Sequence, residues 1–345
     1  MEETRKEGLR MLSDFRGEVW INVHPELLET IERVNTEPID GGYGDESWAR
    51  RATELMQRNF EDKIFTTFAI NGTAANVMAM KAMLDRWSSV LCARQTHINT
   101  YEAGALEFNL GNKILPIESS DGKLTPALLD ELFSSIKNYK YNPKVVVLAQ
   151  PTEFGTVYTN EELTALCAYA HARNLYVYLD GARLANAVVA LGTDIKAMIE
   201  GTGVDAFSFG GTKVGAMFGE MIVFRRGEFA NCLKYSQKQS LQHMAKSKFL
   251  SAQIAYILES GLWLKNAKIS NAAAKRLASK LAEKGIRTAY PVESNMVFAV
   301  IEPKAFARVT EVYDLHYWEE ARHVVRLATT YRTTEEQIDR LAALL

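Results

Sequence analysis

Cysteine is scarce in this sequence: its 345 residues hold three, Cys92, Cys167 and Cys232, in unrelated contexts and with no C-x-x-C pair. An odd, scattered set excludes a disulfide framework and a zinc cluster, so no metal is expected, and it favours a reducing compartment. Excess charge is also missing. The 40 Lys and Arg against 42 Asp and Glu leave a formal net charge of −2, which provides no field for nucleic acid or an anionic membrane surface. No apolar run approaches the ~18 residues that span a bilayer. The opening MEETRKEGLRMLSDFRGEVW lacks the apolar centre of a signal peptide. Internal repeats and low-complexity tracts are absent too, which excludes solenoids and flexible tethers. These absences leave a cytoplasmic protein with a small, neutral or zwitterionic partner.

What is present fits a globular chain. A hydrophobic share of 47% against 24% charged residues allows a sizeable core, and the length suits one large domain or a large plus a smaller one. Apolar runs alternate with helical patterns through the middle. IFTTFAI, KILPIE, KVVVLAQ, LYVYLDG, DAFSFG and MIVFRR read as strands. Between them, TAANVMAMKAMLDRW, TPALLDELFSSIKNY and TNEELTALCAYAHARN read as helices, the last with Thr159 and Glu162 at capping-box spacing. This alternation predicts an α/β fold with a mainly parallel sheet covered on both faces, and in such sheets ligands sit beyond the carboxyl ends of the strands. From Glu228 to about Glu283 one long helical stretch holds a single glycine, Gly261; strand-helix-strand-helix follows. We expect an N-terminal arm over 1–25, a large domain over 26–245 and a small α+β domain over 246–345.

Two residues carry the chemistry. Asp180 ends the strand LYVYLD and so points into the ligand crevice, although Asp there also serves as a helix N-cap. Lys213 follows on a turn rich in small residues. A lysine that forms an imine needs partial desolvation and close approach, which Gly210, Gly211 and Gly215 would allow. An aspartate that keeps a pyridine nitrogen protonated would make pyridoxal 5'-phosphate an electron sink. Gly72 and Thr73, at a strand-to-helix joint, suit a phosphate. Neither a G-x-G-x-x-G after that strand nor a P-loop pattern is present, which weakens dinucleotide and nucleotide readings. His97, with Glu102 five residues on, offers an imidazole to stack and move protons, and Arg326 within an apolar run offers a carboxylate clamp.

LYVYLDGARLANAVVALG, VDAFSFGGTKVGAMFGEMIVF, HINTYEAGALEF, INGTAANVMAM and QPTEFGTVYTNEEL together resemble the low-specificity threonine aldolases of the aromatic amino-acid β-eliminating lyase superfamily. The resemblance runs over nearly the whole chain. It implies fold type I of the pyridoxal-phosphate enzymes, with a seven-stranded sheet and a smaller C-terminal domain. It also implies Lys213 as the Schiff-base lysine, Asp180 on the pyridine nitrogen, His97 stacked on the ring, and Gly72 with Thr73 on the phosphate. Arg183 and Arg326 would hold the substrate carboxylate, and Tyr43 would lie close to the site. Members are usually homodimers or homotetramers with sites at a subunit interface.

Some positions depart from that pattern. Gly17, Glu18 and Val19 stand where the family tends to have Ser-Asp-Asn, Leu106 where relatives commonly have proline, and Lys248 with Phe249 where an Arg-Phe pair reaches a neighbouring phosphate. The resemblance implies cleavage of the Cα–Cβ bond of a β-hydroxy-α-amino acid to glycine and an aldehyde. The general base is His97 or a water held by Glu102. The altered N-terminal segment leaves β-elimination, racemisation or glycyl transfer as alternatives on the same scaffold, and a non-catalytic fold relative as a further one.

Overall fold

A computed structural model describes residues 12, 14–38, 40–136 and 141–345. The strands β1 (Phe65–Ala69), β2 (Ser89–Ala93), β3 (Lys113–Ile117), β4 (Pro143–Ala149), β5 (Tyr176–Asp180), β6 (Ala206–Gly210) and β7 (Glu220–Phe224) form one sheet. Its order is β1-β7-β6-β5-β4-β2-β3. The pairs β2/β3, β2/β4, β4/β5 and β5/β6 are parallel, while β7 runs antiparallel to both β1 and β6. The carboxyl ends of six strands and the start of β7 therefore meet at one edge.

Period-two alternation sends neighbouring residues to opposite faces. Val145, Val147, Ile222 and Phe224 pack into one core, and Val146, Leu148, Met221 and Val223 into the other. Burial on both faces explains why these strands read as continuous apolar runs. Six of the seven strands are the runs marked in the sequence. The exception is β2, a five-residue stretch that begins with a buried serine and is flanked by polar residues, which gives it neither length nor alternation to read. The Thr159 capping box forms as its spacing predicts: Glu162 N–H donates to Thr159 Oγ1 at 3.2 Å, and Thr159 N–H to Glu162 Oε2 at 2.8 Å.

The stretch from 228 to 283 is not one helix. It breaks into a short turn and the helices Leu233–Gln239, Lys248–Ser260 and Leu262–Glu283. Gly261, at φ +70°, makes one break, but the other falls at Leu241, at φ +58°, where composition carries no mark. Leu250, Ile254, Trp263 and Ala267 belong to the large core, whereas Ala274, Leu277 and Leu281 pack under the small antiparallel sheet. That sheet has the order β8-β10-β9, from β8 (Met296–Val300), β9 (Tyr317–Glu319) and β10 (Val324–Ala328). Helix Leu262–Glu283 is thus shared by both cores, and the side chains that enter the small one begin near Ala273.

The N-terminal segment ties the two parts together. Phe15 enters the small core and its carbonyl accepts from Ala328 N–H at 2.8 Å. Farther on, His24 N–H donates to Gly215 O at 2.9 Å, beside the Lys213 turn. The short turn Glu18–Trp20 between these anchors is held over the carboxyl edge of the large sheet. Among the described residues no helix is long and apolar enough to cross a membrane.

Candidate active site

Beyond that edge lie two connected chambers. The inner one, about 160 Å3, is lined by Gly72, Thr73, His97, Asp180, Arg183, Thr212, Lys213 and Glu220, among others. The outer one, about 310 Å3, shares His97, Glu153, Arg183 and Lys213 with it and adds Arg16, Gly17, Glu18, Trp20, Tyr101, Trp318 and Arg326. The sequence-predicted residues Lys213, Asp180, His97, Gly72, Thr73, Arg183 and Arg326 are thus brought around one space, with Glu102 bonded to His97 just behind it.

Strand ends supply the floor. Asp180 closes β5 and is buried, with Ala182 N–H donating to Oδ1 and Asn76 Nδ2 to Oδ2, both at 3.0 Å. Asn76 is an interior residue of the helix Gly72–Met83 and extends the network. Its Nδ2 also donates to Glu102 Oε1 at 2.7 Å, and its Oδ1 accepts from Tyr178 O–H at 3.0 Å. Glu102 Oε1 meets His97 Nδ1 at 2.8 Å. Burial raises the Glu102 pKa despite the hydrogen bonds from His97 and Asn76. For His97, burial opposes the charged ring, but the Glu102 hydrogen bond with the Glu153 and Asp180 carboxylates outweighs it and lifts the pKa above the ordinary value. The imidazole is therefore fixed at Nδ1 and enriched in basicity.

Lys213 sits in the turn Thr212–Val214 that follows β6. Desolvation, then the neighbouring Arg183 charge, lower its pKa and favour the nucleophilic amine. The nearby glycines do a different job from the one their sequence suggests. A Cβ on Gly210 would lie 2.5 Å from Ala182 O, and one on Gly211 would lie 2.6 Å from both Gly219 O and Ile254 Cδ1. These two let backbone and helix pack closely and leave no room for a ligand; Gly215, at φ +121° and close to His24, serves the turn. By contrast, Gly72 faces open space, with no atom within 4 Å of where a Cβ would sit. It opens the helix capped by Asn71, whose side chain accepts from Ala74 N–H at 2.9 Å, so the Gly72 and Thr73 amides are left for a ligand. Buried Thr212 Oγ1 and Glu220 Oε2 lack hydrogen-bond partners. An open helix N-terminus, an activated amine and a fixed carboxylate in one chamber fit a phosphate-bearing aldehyde heterocycle.

Arg183 is engaged by an unexpected partner. Its Nε and Nη2 donate to Glu18 Oε1 at 2.7 Å and Oε2 at 3.1 Å, a side-on bidentate pair, while Asn295 Nδ2 donates to Glu18 Oε1 at 2.6 Å. Burial opposes ionisation of Glu18, but Arg183 and Lys213 prevail and hold its pKa at about 2. Sequence reading marked Glu18 as a departure and did not foresee this bond. The Nη1 edge of Arg183 remains for a ligand. Arg326, on β10, has a long contact of 3.4 Å to Arg16 O and lies over the Trp318 ring at 5.1 Å. No carboxylate pairs with it among the described residues, and Glu153, buried beside both arginines, was not foreseen either.

Two sequence-predicted residues lie elsewhere in the chain. Tyr43 is exposed, stacks on His243 at 4.4 Å and lines a separate cleft of about 500 Å3 along β1. Lys248 Nζ donates to Val34 O at 3.1 Å. Leu106, where relatives have proline, is fully buried in the helix Ala105–Leu110.

The sheet order, the reversed β7 and the lysine–aspartate chamber at the carboxyl edge define the fold of type I pyridoxal-phosphate enzymes. An aspartate aminotransferase of Thermus thermophilus shares that fold alone, at 17% identity and a TM-score of 0.75 over 98% of this chain and 92% of its own. The family model for beta-eliminating lyases matches residues 28–304, and the chain belongs to that family. Among its relatives is the low specificity L-threonine aldolase of Pseudomonas sp. (strain NCIMB 10558), 34% identical over 95% of this chain and 96% of that one. The threonine aldolase of Leishmania major superposes with a TM-score of 0.91 at 29% identity, covering 96% and 98% of the two chains.

Proposed function

We propose that this protein cleaves the Cα–Cβ bond of β-hydroxy-α-amino acids of the threonine type, giving glycine and an aldehyde, with pyridoxal 5'-phosphate held in the inner chamber. Lys213 would hold the aldehyde carbon, Asp180 the ring nitrogen, and Gly72 with Thr73 the phosphate. When bound, the cofactor supplies a sink for the electron pair released at Cα. The observation that carries the reading is the convergence of Lys213, Asp180 and His97 on one chamber, with two arginines at its mouth.

The chain's own side chains account for the remaining work. Arg326 and the unoccupied edge of Arg183 bind the substrate carboxylate, which orients the bond to be broken. With Nδ1 pinned by Glu102, His97 presents Nε2 to take the β-hydroxyl proton. This choice between the two candidate bases is favoured by the raised basicity of the imidazole, while Glu102 keeps its own oxygens behind the ring. The Glu18–Arg183 bond fixes the guanidinium. Oligomers with shared sites remain part of the proposal, in which the exposed Tyr43 would face a neighbouring subunit, while Lys248 is engaged by Val34 O of its own chain.

Purified protein incubated with L-threonine and with L-allo-threonine should release acetaldehyde in step with glycine. Absence of aldehyde from any β-hydroxy amino acid refutes the aldolase and favours elimination, racemisation or glycyl transfer, each of which has a different product.

A further inference from the structure

Glu220 has no task in the reading above, yet its place is unusual. It opens the reversed strand β7, and its register partners are Ala69 on β1 and Gly210 on β6. From those two residues the chain runs on to Gly72 and Thr73 on one side and to Lys213 on the other. Glu220 therefore stands in the fork between the helix N-terminus and the amine. It is 4% exposed, lines the inner chamber, and its Oε2 has no hydrogen-bond partner. Thr212 Oγ1, in the same chamber, lies close to this carboxyl without forming a hydrogen bond of normal geometry.

The open N-terminus of the helix Gly72–Met83 attracts an anion. An ionised carboxylate in the same small space would repel one. The two features are compatible when the carboxyl keeps its proton, which converts it from an acceptor into an O–H donor. We propose that Glu220 is a neutral carboxylic acid near neutral pH and donates its O–H, beside the Thr212 hydroxyl, to the phosphate of the ligand seated at Gly72 and Thr73.

The surroundings agree. Burial pushes the Glu220 carboxyl up to about 8, against the pull of the Thr212 hydroxyl and the Lys213 charge, and Asp180 pushes it further. The charged and titratable groups that face it are Lys213 from the turn after β6 and Asp180 with Tyr178 from β5. The joint after β1 and the first turn of its helix bring Asn71 and Thr73, which carry no charge.

This inference rests on the proposed cofactor, and the test separates the two. Full-length protein stripped of ligand is titrated with pyridoxal 5'-phosphate and with pyridoxal, which lacks the phosphate, at pH 7 and pH 9.5, following tryptophan fluorescence. The ratio of the two affinities isolates the phosphate contribution, because the amine chemistry is common to both. In the native protein the ratio should fall by about tenfold or more at the higher pH, as the acid becomes an anion beside the phosphate. Glu220→Gln, whose amide donates at every pH, should hold the neutral-pH ratio throughout. A native ratio that does not move overturns the inference without recourse to any variant. A variant whose ratio at pH 7 departs from the native one overturns it as well: a rise requires an ionised Glu220 that repels the phosphate, and a collapse requires a role that an amide donor cannot fill. Failure to bind either compound overturns the cofactor reading and this inference together.

Discussion

The floor and the mouth of the chamber are built differently. On the floor, Asp180, Asn76, Glu102 and Tyr178 stand on β5, on the helix Gly72–Met83 and on the segment behind His97, and hydrogen bonds join them into one buried network. At the mouth, Gly17 and Glu18, Tyr101, and Trp318 with Arg326 come from three distant parts of the chain, and their rings and guanidinium are partly open to solvent. Chemistry that needs a fixed proton and a fixed charge is placed where regular structure over-determines the side chains. Recognition of a variable substituent is left to a rim that loops can alter without disturbing the sheet. Floor substitutions should therefore lower kcat, and rim substitutions should act through KM and through stability of the arm.

The largest effect expected on the floor is at the amine. Lys213→Ala should reduce aldehyde release by at least about a thousandfold and remove the absorbance between about 410 and 430 nm that an imine-bound cofactor gives. Release that persists in the variant would move the chemistry away from Lys213. Next comes the base. If His97 is the base proposed above, activity requires the neutral imidazole, and the raised pKa of His97 places the acid limb of kcat above the ~6.5 of an ordinary histidine. Glu102→Gln removes the main cause of that rise. It should shift the limb to lower pH while lowering the plateau by roughly 10²-fold, because the ring loses its anchor. A limb that stays in place in Glu102→Gln separates His97 from the proton transfer.

The mouth gives a sharper contrast between stability and chemistry. Glu18 and Arg183 form a buried pair, and removal of one partner strands the other. Glu18→Gln should cost on the order of 3 kcal/mol of unfolding free energy in urea, and Glu18→Gln/Arg183→Gln should recover much of it. The pH dependence has a definite sign. Glu18 has its folded pKa depressed to about 2, so its contribution is complete above the ordinary carboxylate value and is lost as pH falls toward 2. The variant should therefore lack that part of the acid loss. A double variant destabilised by the sum of its two single variants would mean that the pair is not coupled, and the arm would be held by its backbone bonds alone.

The contrast also explains what could be read in advance. Asp180 was legible because it ends a buried strand, where side-chain direction is dictated by the sheet, and Lys213 because it stands on the short glycine-flanked turn that follows another. Asn76 was not, though it left a signal: one amide in the middle of a helix that is otherwise alanine, valine and methionine between Thr73 and Lys81. Glu220 left a similar one, an acid heading the apolar strand EMIVF. Both are polar residues on faces that should be apolar, and their partners lie 104 residues away for the Asn76–Asp180 bond, beyond the reach of local pattern. The glycines around Lys213 were legible as constraints but not by cause, since close approach to a ligand and close approach to Ala182 O require the same missing Cβ. Glu18 was visible only as a departure, because a salt bridge across 165 residues has no periodicity.

The smallest effect expected probes how tightly the floor is joined. Tyr178 is fully buried on β5, and its hydroxyl donates to Asn76 Oδ1, the same amide that serves Asp180 and Glu102 through Nδ2. Tyr178→Phe removes that one bond and keeps the ring that fills the core. The Asn76 carbonyl oxygen is then buried without a donor, which costs about 1–2 kcal/mol. If the floor works as one network, the loss should loosen the amide toward both carboxylates, and kcat should fall by a few-fold with KM unchanged. Stability lost with kcat intact would show that Asn76 is held well enough by its two carboxylates, and that the tyrosine belongs to the core beneath the site.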